Sequence, residues 1–165
     1  MPGRGNHYSA AFEAYLRSRS IPYVNVHQAK KALCGNSHLK SFDFVVYSKR
    51  GKNILVDLNG RTHAHRNGAS GFQSWTCERD VEDLVEWERV FGDEFTAVLT
   101  FVYWMKSARL GPAGAFRHRD RSYLLMGIDL GDYRRRMRRR SAKWETVSLP
   151  ADDFRTLARP LESWL

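Results

Sequence analysis

Hydrophobic residues recur along the first two thirds of the chain with two periods, one typical of helices and one typical of strands. Between residues 7 and 20 the apolar side chains fall three or four positions apart, which predicts an amphipathic helix. Apolar segments of strand length follow, and the polar segment 48–52, with glycine near its centre, predicts the turn of a β-hairpin. The predicted elements are, in order, a helix at 7–20, a strand at 22–26, hairpin arms at 41–47 and 53–59, a helix at 78–91 and a strand at 95–104.

The last of these strands differs from the others in being apolar at almost every position. Such a run predicts a strand that is buried on both faces in the middle of a sheet. Thr76 is a candidate N-cap for the preceding helix, and Gly92 a stop. Beyond residue 105 the pattern predicts a strand at 122–130, a short basic helix at 131–140, a strand at 146–149 and a final helix at 152–158. We therefore expect one α/β domain, with a core over about 6–105 and a C-terminal β/α extension over about 120–165.

Two aspartates interrupt the apolar arms of the predicted hairpin. If the turn spans Arg50 to Lys52, Asp43 lies opposite Asn59, and Asp57 is its diagonal neighbour on the same face, roughly 7–8 Å away at Cα. Two carboxylates at that distance can share a divalent cation. A carboxylate inside an apolar strand is costly without a partner, so the alternative is that each aspartate pairs with a lysine or arginine at the strand end. A register slip of one residue would place the two on opposite faces.

The charge balance points to a polyanionic partner. The 165 residues carry 27 Lys and Arg against 18 Asp and Glu, a net charge of +9, which favours nucleic acid ahead of an acidic membrane. No apolar run approaches the length of a membrane-spanning helix, and the N-terminus lacks the apolar stretch of a signal peptide. We therefore expect a cytoplasmic protein with no membrane partner, whose cysteines, Cys34 and Cys77, are reduced.

Six arginines occupy the seven positions from 134 to 140. As a helix, this segment would suffer like-charge repulsion unless phosphates relieve it, so it is a candidate clamp for a nucleic-acid backbone. The alternative is a solvated surface helix that is partly paired with the acidic helix predicted at 78–94. We expect that acidic helix to lie away from a bound polyanion. The arginines concerned are Arg134, Arg135, Arg136, Arg138, Arg139 and Arg140.

The order helix, three-stranded meander, helix, strand resembles the core of the PD-(D/E)xK nuclease superfamily, above all its small Holliday-junction-resolvase-like members. An uncharacterised bacterial group of nuclease-like proteins is similar as well. The resemblance covers about the first 105 residues and implies a restriction-endonuclease-like fold. The family places an acid on the first helix, an aspartate at the second strand and an acid-x-lysine triplet on the third. The matching residues here are Glu13, Asp43 and Asp57-Leu58-Asn59.

The resemblance implies a metal-dependent nuclease that uses Mg²⁺ or Mn²⁺. Asp43, Asp57 and the backbone carbonyl of Leu58 would be the metal ligands, and Glu13 either completes the shell or is a solvated helix carboxylate. Asn59 departs from the family, because an amide neither titrates nor carries charge. Arg61 or Lys40 could supply the missing positive charge and contact the nucleic acid.

Three function classes remain open at this point. The first is a nuclease that acts on nucleic acid, with DNA expected ahead of RNA and a homodimer implied by resolvase-like relatives. The second is a catalytically inactive nucleic-acid-binding module of the same fold, which Asn59 favours. The third is an assembly factor whose acidic helix and aromatic side chains contact other proteins.

Overall fold

The computed structural model describes residues 6–26, 41–63, 71–106 and 114–165. Their helices and strands combine in a mixed α/β fold. The elements are α1 (Asn6–Ser18), β1 (Tyr23–Asn25), β2 (Phe44–Val46), β3 (Asn53–His63), β4 (Thr76–Cys77), α2 (Glu78–Phe91), β5 (Phe95–Met105), β6 (Phe116–His118), β7 (Arg121–Asp129), α3 (Leu130–Arg136), β8 (Arg138–Ser141), β9 (Thr146–Ser148), α4 (Ala151–Leu157), β10 (Arg159–Pro160) and a 3-10 helix (Leu161–Trp164).

A seven-stranded mixed sheet forms the centre of the fold. Strands β1, β2 and β3 make an antiparallel meander, and the chain then crosses through α2 to β5, which runs parallel to β3 along its whole length. The strand order is β1-β2-β3-β5-β7-β10, with β6 paired to β7. The predicted order of helix, meander, helix and strand is therefore confirmed. The prediction that residues 95–104 form a central strand is also confirmed, because β5 lies between β3 and β7.

Helices cover both faces of this sheet and create two hydrophobic clusters. On one face, α1 and the C-terminal 3-10 helix bury the apolar residues of β3 and β5 that include Ile54 and Val98. On the other face, α2, α3 and α4 pack against the alternate residues, which include Leu55 and Leu99. This two-sided burial explains the nearly continuous apolar sequence of β5. No helix in the described part of the chain is long and apolar enough to cross a membrane.

Strands β8 and β9 of the C-terminal extension form a second, three-stranded sheet with β4, in the order β4-β9-β8. The predicted basic helix at 131–140 is wrong in its second half, because α3 ends at Arg136 and Met137 has an extended backbone conformation. The following arginines belong to β8 and pair with β9. The predicted cap of α2 is also wrong, since Thr76 is part of β4 and the helix begins after Cys77. Gly92 ends α2 as predicted, with φ 89°.

The hairpin register differs from the prediction by two residues. Phe44 lies opposite Val56, and the last pair before the loop joins Val46 to Ile54. The loop is longer than predicted because a side chain, and not a further pair of backbone groups, bridges its two ends. Asn53 Oδ1 accepts a hydrogen bond from the Ser48 N–H at 3.2 Å. A shift of two positions leaves each side chain of β3 on its expected face, because side chains alternate with a period of two.

Candidate functional site

The side chains around β2 stop alternating regularly between the two faces of the sheet at Asp43. Phe42 packs on the α2 side of the sheet, where its ring lies 5.7 Å from that of Trp87. Phe44, two positions later, packs on the α1 side, with its ring 4.8 Å from that of Phe12. Residues two apart in a regular strand would share a face, so the backbone must turn between these two rings. The turn places Asp43 at the end of β2, between the two hydrophobic clusters.

Hydrogen bonds fix the Asp43 carboxylate beside β3. The Asp43 N–H donates to the Val56 carbonyl at 2.9 Å, and its Oδ2 accepts the Leu58 N–H at 2.7 Å. The carboxylate thus takes the place of a ladder acceptor next to the Asp57–Leu58 peptide. In a strand the N–H and C=O of one residue point toward the same neighbouring strand. The Leu58 carbonyl therefore points to the same side of β3 as Asp43.

Asp57 projects from β3 toward α2 and is held by its neighbour. Its Oδ2 accepts a hydrogen bond from Asn59 Nδ2 at 2.9 Å, which orients the carboxylate. Asp57 also borders a small cleft of about 10 Å³, roughly enough for one water molecule. The cleft is lined by Ser41, Phe42, Asp57, Asp80, Leu84 and Trp87. Asp80, in the first turn of α2, is thus a carboxylate beside Asp57 that sequence reasoning missed.

The oxygen donors at this strand end fit a magnesium-type ion. The Asp43 carboxylate and the Leu58 carbonyl lie on one side of β3, and Asp57 is the adjacent residue, so three oxygen donors come from neighbouring positions at this strand end. Hard divalent cations prefer oxygen ligands. In the described part of the chain, no three His, Cys, Asp or Glu side chains converge as a ready-made cage. Magnesium is commonly held by one or two carboxylates, with waters and substrate phosphates completing its shell. The donor set therefore fits Mg²⁺ or Mn²⁺ better than a closed structural metal such as zinc.

Glu13 lies on the other side of the sheet from this strand end. Its helix, α1, packs its buried residues against the face that includes Ile54 and Val56, whereas Asp57 projects from the opposite face. The side chain of Glu13 is partly exposed. The predicted helix acid therefore belongs to a helix that covers the face opposite to Asp57, and Asp80 is the helix carboxylate on the Asp57 side.

Arg61, on the same face of β3 as Asp57, is engaged with the protein itself. Its guanidinium donates to the Gly60 carbonyl at 2.8 Å and to the Trp75 carbonyl at 2.5 Å, and its Cζ lies 3.7 Å from the Trp75 ring centroid. Arg140 lies over the same ring at 5.0 Å. Burial lowers the pKa of Arg61, and the positive charge of Arg140 also lowers it. Arg61 therefore anchors Trp75, and the suggestion that it replaces the missing lysine loses support.

Two buried tyrosines hold the segment that carries Trp75. Tyr103 donates its hydroxyl to the Gln73 carbonyl at 2.7 Å, and Tyr133 donates to the Ser74 carbonyl at 2.6 Å. Burial raises the pKa of both tyrosines above the ordinary value, so both hydroxyls stay protonated and act as donors at neutral pH. The segment is thus fixed against β5 and α3.

The arginines of α3 and β8 lie against the acidic helix α2. Arg134 pairs with Glu82 at 3.1 Å, and Arg139 pairs with Glu78 at 3.5 Å. The acidic helix is therefore adjacent to the basic segment, and the alternative of partial pairing is confirmed for these two arginines. Arg135 pairs with Asp132 of its own helix. Arg136 and Arg138 are exposed. Lys40 lies outside the described residues.

Comparisons with known proteins support the fold. No protein-family model matches the chain, and a comparison with curated proteins finds no match. Among solved structures, the chain is similar to Hjc, a Holliday junction resolvase from the archaeal hyperthermophile Archaeoglobus fulgidus, with a TM-score of 0.59 and 10% sequence identity. The match covers 98% of this chain and 95% of that chain. The α/β, resolvase-like fold is thus confirmed, and the similarity extends beyond the first 105 residues into the C-terminal extension.

Proposed function

We propose that this protein is a metal-dependent nuclease that cleaves phosphodiester bonds in nucleic acid. The observation that carries the proposal is the hydrogen bond from the Leu58 N–H to Asp43, because it fixes the Asp43 carboxylate beside the Asp57–Leu58 peptide, at the strand end that carries the second carboxylate. The similarity in fold to a Holliday junction resolvase supports the proposal, as does the net charge of +9. A family of the PD-(D/E)xK type has its acidic residues at the corresponding strand positions.

The proposed roles of the residues follow from their contacts. Asp43, Asp57 and the Leu58 carbonyl would hold Mg²⁺ or Mn²⁺. A cation bound there would lower the pKa of a water ligand and stabilise negative charge on the phosphate oxygens. Asn59 keeps Asp57 oriented through its amide, and because it cannot titrate it takes no proton. The positive charge that a lysine would supply is therefore absent from this position, which predicts slow cleavage.

Asp80 is the proposed outer carboxylate of the site. It borders the same cleft as Asp57, so its charge raises the affinity of that cleft for a cation. Loss of a residue that contacts a metal ligand without touching the metal typically lowers metal affinity or activity by roughly 10- to 100-fold. We expect Asp80→Asn to weaken Mn²⁺ binding by about that factor. Glu13→Gln is the matched control, because Glu13 lies on a helix that covers the other face of the sheet.

The proposed substrate is nucleic acid, with DNA ahead of RNA because the structural neighbour is a DNA junction resolvase. Arg136 and Arg138 are exposed and are the first candidates for phosphate contacts. The other four arginines already have partners within the protein, which they would have to leave or share in order to contact a phosphate. They are Arg134, Arg135, Arg139 and Arg140. Such contacts position the polymer and do not read its sequence.

The test is a cleavage assay with Mg²⁺ and with Mn²⁺ on single-stranded DNA, linear duplex and a four-way junction. We expect wild-type cleavage that is abolished by chelation and reduced at least about 100-fold in Asp57→Ala. Asp93→Ala, an exposed aspartate in the turn after α2, is the matched control and should cleave as wild type does. Retention of activity in Asp57→Ala would refute the assignment of the site.

A catalytically inactive binding module is the second candidate, and the engagement of Asn59 and Arg61 within the protein favours it. The variant Asn59→Lys separates the two functions. Cleavage by Asn59→Lys, with none by wild type, would mean that the site retains its metal ligands but lacks a catalytic charge. No cleavage by either, with salt-sensitive DNA binding intact, would leave the binding module and reject the nuclease.

A further inference from the structure

The hairpin formed by β8 and β9 carries an exposed tryptophan at its tip. Trp144 lies in the turn between the two strands, and 67% of its surface is exposed to solvent. A single exposed apolar residue is ordinary on a protein surface. What distinguishes Trp144 is its surroundings, because Lys143 lies 5.1 Å from its ring centroid and the strand before it is rich in arginine.

The hairpin is fixed in place, so its tip does not depend on an unsupported loop. β9 pairs with both β8 and β4, and the Glu78 N–H at the start of α2 donates to the Glu145 carbonyl at 2.9 Å. The turn itself is closed by the Trp144 N–H, which donates to Ser141 Oγ at 3.2 Å. Glu145 adopts a left-handed conformation, with φ 50°, at the point where the chain enters β9.

A row of stacked side chains links this hairpin to the candidate site. Arg140 of β8 lies over the Trp75 ring, and Arg61 of β3 lies over the same ring. Arg61 and Asp57 share one face of β3 and are four residues apart, about 13 Å along a strand. The side chains of Arg140, Trp75 and Arg61 therefore join the hairpin to the face of β3 that carries Asp57.

The chemistry of the tip matches an unstacked base next to a phosphate backbone. An exposed indole offers a face on which a base can stack, and cations on either side can contact the adjoining phosphates. Lys143, Arg138 and Arg140 are exposed cations of this hairpin. The interior of a continuous duplex hides the faces of its bases, so an indole can reach them only in a single strand, at an end or at a branch point.

We infer that Trp144 is a stacking platform for an unpaired or unstacked base, and that the β8–β9 hairpin thereby selects nucleic acid with single-stranded or branched character. This inference rests on the proposed function, since it assumes that nucleic acid is the partner. It adds a binding element outside the aspartate site. It also assigns Arg138 and Arg140, exposed cations of the hairpin, to the phosphates that adjoin the stacked base.

The test is a titration of fluorescently labelled oligonucleotides, followed by anisotropy, with a 20-nucleotide oligothymidylate and with a blunt duplex whose label is internal. Stacking of one base on an aromatic side chain corresponds to about 5- to 150-fold in affinity. We expect Trp144→Ala to lose affinity for the single strand by a factor in that range. Trp144→Phe, which keeps an aromatic face, should retain most of the affinity. Val90→Ala, at an exposed apolar residue of α2, is the control and should bind as wild type does.

The salt dependence distinguishes stacking from charge contacts. Trp144→Ala should leave the slope of log affinity against log salt unchanged, because it removes no charge. Arg138→Ala should reduce that slope by about 0.7 on a single strand if Arg138 contacts one phosphate. A changed slope in Trp144→Ala would overturn the stacking assignment.

Other results would overturn the inference in identifiable ways. Unchanged single-strand affinity in Trp144→Ala, with cleavage still lost in Asp57→Ala, would reject the platform and leave the nuclease standing. Loss of self-association in Trp144→Ala by sedimentation, with no change in DNA affinity, would make the tip a protein contact. Failure of the wild-type protein to bind either oligonucleotide would reject the platform together with the proposed function.

Discussion

Gly60 lies in β3 between Asn59 and Arg61, and the helix on the far side of the sheet leaves it no room for a side chain. A Cβ at this position would lie 2.3 Å from Cγ and Cδ2 of Tyr8 and 2.8 Å from Cε2. These atoms belong to a ring, whose flat face cannot bend away as a flexible side chain could. Gly60→Ala must therefore displace the Tyr8 ring or the start of α1.

The size of the effect follows from three contributions. Overpacking of this kind costs about 1–3 kcal/mol. Displacing the ring also breaks the hydrogen bond between the Tyr8 hydroxyl and Thr62 Oγ1, 3.1 Å long, which contributes roughly 0.5–1.5 kcal/mol. The opposing contribution is the reduced freedom of the unfolded chain, about 0.4–1 kcal/mol, because Gly60 lies outside the left-handed region. Steric displacement is the larger effect, so we expect Gly60→Ala to lower the free energy of unfolding by about 1–3 kcal/mol.

Urea unfolding of a double-mutant cycle measures this effect. In a Tyr8→Ala background the clash is absent, so adding Gly60→Ala should be neutral or slightly stabilising, and the coupling energy should be about 1–3 kcal/mol. Gly51→Ala is the matched control, because a Cβ there would meet no atom within 4 Å. We expect that control to stabilise the protein by about 0.4–1 kcal/mol. Equal effects of Gly60→Ala in the two backgrounds would refute the packing of α1 against β3 described above.

Two further predictions concern the segment that carries Trp75 and the arginines of α3. Tyr133→Phe leaves the buried Ser74 carbonyl without its donor and should lower the free energy of unfolding by about 1–3 kcal/mol in urea; an unchanged midpoint would contradict the role of this hydroxyl. Arg134 and Glu82 form an exposed pair, so Arg134→Gln and Glu82→Gln should each change stability by less than about 1 kcal/mol. Their effects on DNA affinity, measured by filter binding, should have opposite signs: Arg134→Gln should bind DNA more weakly and Glu82→Gln more tightly. Effects of the same sign would argue against a phosphate contact at Arg134.

Much of the fold could be predicted because its signals are local. The spacing of apolar residues in α1 follows from the helical repeat, and the continuous apolar run of β5 follows from burial on both faces. Gly92 could be recognised as a helix stop because few other residues adopt its backbone conformation. The signals failed where a contact with a distant part of the chain outweighed the local preference. Arginine favours helices, so the segment after Met137 resembled a helix, yet the pairing of β8 with β9 decided its structure.

The candidate site could be predicted only in part. Asp43 and Asp57 stood out because a carboxylate within an apolar strand requires a partner. Their mutual position could not be predicted, because the register depends on how Asn53 and Ser48 close the loop. Asp80 was missed because an aspartate in the first turn of a helix is ordinary in any sequence.

The sequence by itself determined the order and type of the main elements, the two aspartates and the basic character of the surface. Only the tertiary structure decided which side chains meet: Asp43 with the Leu58 amide, Arg61 and Arg140 with Trp75, and the arginine segment with the acidic helix. The physical reason is that periodicity reports the face on which a residue lies, within a few positions along the chain. Contacts between residues 14 to 65 positions apart depend on loop lengths and on the packing of whole elements, which no local pattern records.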